Sequence, residues 1–185
     1  MIDDESGIEG DLEIPSEDDD APFARTEQSK RDAYLRSPRA LPAGAREFDR
    51  LAAAVIERVG ALPATDAKVE VRRGLGRCII QRGDAALTLS WVRARSDTVA
   101  DGRLLILEWN GTVLRANERI PERAPDPRPG KSATLVRETS YLADATGEHD
   151  WVWRVDDATD GEGEGLTSTE LAARCVDRWA ADLAR

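Results

Sequence analysis

Few residues in this sequence have the type and spacing to do chemistry. Gly130-Lys131-Ser132 matches the end of a phosphate-binding loop. Such a loop also needs a glycine five residues before Gly130, where Pro125 stands. It needs a helix afterwards, whereas the residues from Ala133 alternate as a strand does. A nucleotide site is therefore not expected. The single histidine, His149, precedes Asp150. A base and an orienting carboxylate use these types, but neighbours in a strand point to opposite faces. Glu108 lies in an apolar run between Leu107 and Trp109, on the face of Leu104 and Ile106. A carboxyl in such surroundings is a candidate acid. The sequence fixes no second carboxylate beside it, so catalysis has two candidates, Glu108 and His149, and neither has a marked partner.

Cys78 and Cys175 are too few and too far apart for a metal cluster or a disulfide framework. Their apolar neighbours predict buried free thiols. No cofactor and no metal is implied.

Tryptophan is the unusual residue type: five Trp stand against two Tyr and two Phe. Trp91, Trp109, Trp151 and Trp153 fall in predicted strands, and Trp179 falls in the last helix. One reading is bulk for an Ala-rich core. The functional reading is a concave sheet face that takes an apolar small molecule or a protein partner. Trp151 and Trp153, two apart in a strand, share a face. Trp151, Trp153, Trp91 and Trp109 are the candidate binding residues.

Charge divides the chain. Residues 1–20 carry ten acids and no Lys or Arg, and the other 26 acids balance 26 bases. The acidity thus belongs to a tail, and the body is formally neutral. Arg72, Arg73, Arg77 and Arg82 gather around the first predicted hairpin, with Arg93 and Arg95 nearby. Nucleic-acid binding needs a net basic footprint, which a neutral body with an acidic tail lacks. No apolar run approaches the roughly 20 residues of a membrane helix. The N-terminus has neither the basic nor the apolar region of a secretory signal. A cytoplasmic protein is expected.

The elements that must position these residues follow from periodicity. Residues 1–43 read as a disordered tail, acidic over 1–20 and basic over 21–43, where Pro22, Pro38 and Pro42 interrupt the chain and leave at most a short helix over 26–35. Residues 44–185 read as a single α+β domain. Apolar residues at helical spacing predict a helix over 45–59, stopped by Gly60. Alternation then predicts strands over 68–73, 77–82, 85–94, 103–109, 133–142 and 149–155. Asn110-Gly111 predicts a hairpin with a returning strand over 112–117. A Pro-rich loop over 120–131 is long enough to serve as a lid. Thr167 and Glu170 form a capping box that opens a final helix with Leu166 positioned to staple against Leu171.

The expected architecture is an antiparallel sheet of six to seven strands, mostly a meander, with an N-terminal and a C-terminal helix on one face. A helix–meander–helix order is shared by many unrelated domains, so fold order alone licenses no function. The expected role is a non-enzymatic protein-interaction or ligand-binding module. The alternative is a small enzyme with a pocket between sheet and helices, using Glu108 or His149.

Overall fold

The computed structural model of the chain describes residues 21–63, 67–93, 98–114, 133–156 and 164–183. The acidic segment 1–20 and the Pro-rich loop 120–131, with its Gly130-Lys131-Ser132 triplet, lie outside the described residues. Two helices come first, α1 (Ala21–Leu35) and α2 (Ala40–Gly60). Strands β1 (Val69–Gly74), β2 (Arg77–Arg82), β3 (Ala85–Arg93), β4 (Gly102–Gly111), β5 (Ala133–Asp144) and β6 (Val152–Val155) follow, then α3 (Ser168–Leu183). The strands form one antiparallel sheet in the order β1-β2-β3-β4-β5-β6. Short turns account for the start of that order: Leu75-Gly76 and Gly83-Asp84 leave too little chain between β1 and β2, and between β2 and β3, for anything but a hairpin.

Helices α2 and α3 pack side by side on one sheet face. Phe48, Leu51, Ala52, Val55 and Val59 of α2 bury the predicted stripe. Leu171, Ala172, Cys175, Val176 and Trp179 do so for α3, while Leu183 near its end is exposed. Both stripes meet Cys78, Ile80, Leu87, Leu89, Leu104 and Ile106 in one core. The capping box forms as its residues imply: the Thr167 amide donates to Glu170 Oε2 at 2.9 Å, and the Glu170 amide donates to Thr167 Oγ1 at 3.3 Å.

The structure places more of the N-terminal region in the domain than residue patterns suggest. Helix α1 begins at Ala21, and Leu35, Ala40 and Ala43 belong to the core. The tail boundary at residue 43 is therefore moved. Pro42 misleads because a proline in the first turn of a helix sacrifices no intrahelical bond. Its α2 begins two residues earlier, at Ala40. The Leu35 carbonyl accepts from the Ala100 amide at 3.3 Å, and Arg31 Nε lies 3.4 Å from Asp144 Oδ1.

The Asn110-Gly111 hairpin is also corrected. Strand β4 runs through Gly111, residues 112–114 form no strand, and the strand that pairs with β4 is β5. Residues 115–117 lie outside the described residues. Gly111 does take a positive φ of 102°. The Gln81 side chain holds the residues just beyond it. The Val113 and Leu114 amides donate to Gln81 Oε1 at 2.9 and 3.4 Å. Gln81 Nε2 donates to the carbonyls of Gly83, Ala85 and Gly111. Val113 thereby packs on Ala86, Leu107 and Trp109, a second small cluster on the face away from α2 and α3.

Gly44 shows how tightly α2 sits on the sheet. A Cβ there would lie 2.6 Å from Trp91 Cη2 and 3.0 Å from Trp151 Cη2. A Gly→Ala change inside a helix ordinarily stabilises by about 0.4–1 kcal/mol. Gly44→Ala is expected to reverse that sign and cost about 1–3 kcal/mol, the range for overpacking. Urea unfolding followed by Trp fluorescence checks this; a raised midpoint would show that the ring pair yields freely.

Candidate functional site

The four strand tryptophans do not assemble into one open face. Trp91, Trp151 and Trp153 turn toward the helices, with Trp153 edge-on to both Trp91 and Trp151 and the Trp91–Trp151 pair tilted at 52°. Ring centroids are 5.3 Å apart for Trp91–Trp153, 6.0 Å for Trp151–Trp153 and 6.2 Å for Trp91–Trp151. Phe48 of α2 closes the group at 6.2 Å from Trp91. Trp151 and Trp153 share a face, as their spacing implies, but that face is the core, where they keep 5% and 1% of their surface. Trp91 is half-buried. Trp109 lies on the other side of the sheet, buried against Ala86 and Leu107, and its Nε1 donates to Thr88 Oγ1 at 3.1 Å.

A buried polar string ties the aromatic group to both helices. Trp153 Nε1 donates to Ser168 Oγ at 2.9 Å, and Ser168 Oγ donates to Glu47 Oε1 at 2.7 Å. Arg50 Nη1 pairs with Glu47 Oε2 at 2.6 Å. Strand β6, the start of α3 and the middle of α2 are thus fixed by one chain of bonds.

Glu108 does not escape to solvent at the strand end. It is 2% exposed, beneath α3. Arg178 donates to its Oε1 through Nε at 2.8 Å, with Nη2 at 2.6 Å from the same oxygen. Arg137 Nη1 lies 3.5 Å from Oε2, and Arg137 Nη2 lies 3.3 Å from Asp182 Oδ2. The ladder shifts register between Glu108 and Trp109, so Glu108 faces Arg137 while Trp109 faces Leu135. The extra residue, Val136, is left 57% exposed. Both carboxylate oxygens face guanidinium groups from α3 and β5. This arrangement anchors the helix on the sheet.

His149 is exposed in the bend before β6, which begins only at Val152. The expected strand start at His149 is corrected because Asp150 folds the preceding residues into a turn. The Thr146 and Gly147 amides donate to the Asp150 carboxylate at 2.9 and 2.8 Å, and Thr146 Oγ1 donates to it as well. Partial burial works to raise the Asp150 pKa, but these hydrogen bonds outweigh it and hold the acid below its usual range. Asp150 is thus spent on the turn. Burial pushes the Cys78 thiol up to about 11 and the Cys175 thiol to about 12. Neither thiol is set up as a nucleophile near neutral pH. Among the described residues no three His, Cys, Asp or Glu side chains gather as a metal site requires. Among them, too, no helix is long and apolar enough to cross a membrane.

Among the described residues no strand pairs with the outer side of β1. Five of its six residues are exposed, and Val69 and Val71 each keep 38% of their surface. Leu75, at the tip of the β1–β2 hairpin, keeps 78%. The opposite edge is shorter: β6 has four residues, and Leu166 bridges Trp153 through reciprocal backbone bonds of 2.8 and 2.9 Å. The direction of the free backbone groups on β1 follows from the ladder. The Trp91 amide donates to the Gly76 carbonyl at 2.7 Å. Hydrogen-bonded pairs recur every second residue along an antiparallel ladder, so Cys78, Ile80 and Arg82 bond toward β3. Their β1 partners Arg73, Val71 and Val69 occupy non-hydrogen-bonded pairs. These three residues therefore aim their N–H and C=O groups outward. Val69, Val71 and Arg73 lie on the helix side of the sheet, and Glu70 and Arg72 lie on the other.

This edge was not among the residues singled out from sequence, although its signal is present. The two-residue turns pair β1 with β2 and β2 with β3, which leaves β1 at the rim unless a later strand reaches it, and no described strand does. The Arg residues near it are partly engaged: Arg73 Nη2 is 2.7 Å from Asp49 Oδ1, and Arg82 Nη2 donates to the Pro63 carbonyl. No family model, curated protein or solved structure matches the chain.

Proposed function

We propose that this protein is a non-enzymatic interaction module that receives a partner's strand along β1. The observation that carries this reading is the outward row of backbone donors and acceptors at Val69, Val71 and Arg73, beside two exposed valines. Strand addition draws affinity from such a row and specificity from the side chains that alternate along it. Glu108 and His149 do not favour an enzyme: one is held by two arginines, and the other stands apart in a turn.

Val71→Pro tests the reading. Proline removes the outward N–H but no bond to β2, so it blocks strand addition while the sheet is retained. A photo-crosslinking residue at Leu75, in the full-length protein within its own cells, is expected to give a protein adduct. The Val71→Pro change is expected to abolish that adduct while leaving the unfolding midpoint nearly unchanged. An adduct that persists in the proline variant would remove β1 from consideration.

A further inference from the structure

We infer that the strand β1 receives is β1 of a second copy of this chain, paired antiparallel about a twofold axis through Val71. This inference rests on the interaction-module reading and names its partner. The argument is one of register. Hydrogen bonds form only if outward-directed residues face outward-directed residues, which confines pairing to every second register. Centred on Val71, the two Val71 residues exchange backbone bonds, and Val69 of each copy does the same with Arg73 of the other. Glu70 then stands opposite Arg72 of the second copy, and symmetry supplies that pair twice. Both pairs fall at non-hydrogen-bonded positions, where opposing side chains come closest. The next allowed register on one side sets Glu70 against Glu70. The next on the other side sets Arg72 against Arg72. Charge therefore selects one register of the three.

Glu70 and Arg72 occupy the sheet face away from α2 and α3, so neither helix stands between the pairs. On the helix face, Val71 meets Val71, and the Arg73 stem lies over Val69. Charged residues on a sheet edge ordinarily repel added strands. Here the alternating order Glu70, Val71, Arg72 makes the edge selective for itself. A contact of one short strand is small, so the dimer is weak.

Sedimentation of the full-length protein from about 1 to 500 µM, a span suited to weak association, tests the pairing. The average mass of the wild type is expected to climb toward twice that of the chain, and to climb less in high salt. Glu70→Arg and Arg72→Glu are each expected to weaken the dimer by about tenfold, because each sets like charges against one another at both symmetric positions. The double variant restores opposite charges and is expected to recover the wild-type dissociation constant. A monomer at all concentrations would overturn the inference. So would a dimer insensitive to the single changes, or a double variant no tighter than either single one. If the Leu75 adduct is a different protein and is lost in Val71→Pro, the interaction-module reading stands and the self-pairing fails. If the adduct survives Val71→Pro, both fail.

Discussion

Trp153→Ala is expected to lower the unfolding free energy by about 3–5 kcal/mol, the range for deleting a buried aromatic side chain. Trp153 is 1% exposed and touches the aromatic group from β6. Its removal opens a cavity between the sheet and α2. It also deprives Ser168 of the donor that completes the string to Glu47. Trp153→Phe separates the two contributions, since a phenyl ring keeps much of the volume and lacks the indole N–H. Its loss should be smaller, with about 0.5–1.5 kcal/mol of it from the hydrogen bond that Ser168 Oγ no longer accepts. Urea titration with circular dichroism measures both. A cost below about 1 kcal/mol for Trp153→Ala, well under the cavity range, would mean that the ring does not support the core. The same burial makes the double change Trp151→Ala with Trp153→Ala a poor probe of binding, because it would damage the fold first.

The second large effect is at Glu108. Glu108→Ala is expected to cost about 2–4 kcal/mol, somewhat under the usual 3–5 for breaking a buried pair. The reduction follows from the arginines, whose side chains keep 31% and 38% of their surface and so regain some water. The remaining penalty is the stranding of the Arg178 guanidinium, since Arg137 keeps Asp182 as a partner. Replacing both partners, Glu108→Leu with Arg178→Met, should recover most of the loss, because apolar groups of similar volume then fill the site. Chemical denaturation of the three proteins is the measurement. If Glu108→Ala proved neutral while some measured activity vanished, the anchoring role would be displaced by a catalytic one.

Much of the architecture was legible in the residues. Phe48, Leu51, Ala52, Val55 and Val59 at helical spacing, and Thr167 with Glu170, each declare their element through local geometry. Alternation sorts the side chains within β3 and within β4, but that Trp109 lies on the face away from Trp91 follows only from the register that sets Ala86 opposite Trp109. Local rules misled where one residue serves two structures. Pro42 reads as a helix breaker but fits a first helical turn. Asn110-Gly111 reads as a hairpin, yet Gln81, thirty residues away in sequence from Gly111, captures the chain beyond it.

Composition and periodicity determined the class: an α+β chain with an antiparallel meander, two amphipathic helices packed on it, and acidity concentrated at one end. They do so because periods of 2 and 3.6 are properties of neighbouring residues. Tertiary structure alone decided that Trp151 and Trp153 are core with Trp91 packed against them, that Glu108 is an anchor for α3, and that among the described residues no strand pairs with the outer side of β1. Those outcomes depend on which distant elements arrive at each surface. A glutamate in an apolar strand looks the same from sequence whether an arginine lies above it or water does, and only packing supplies Arg178.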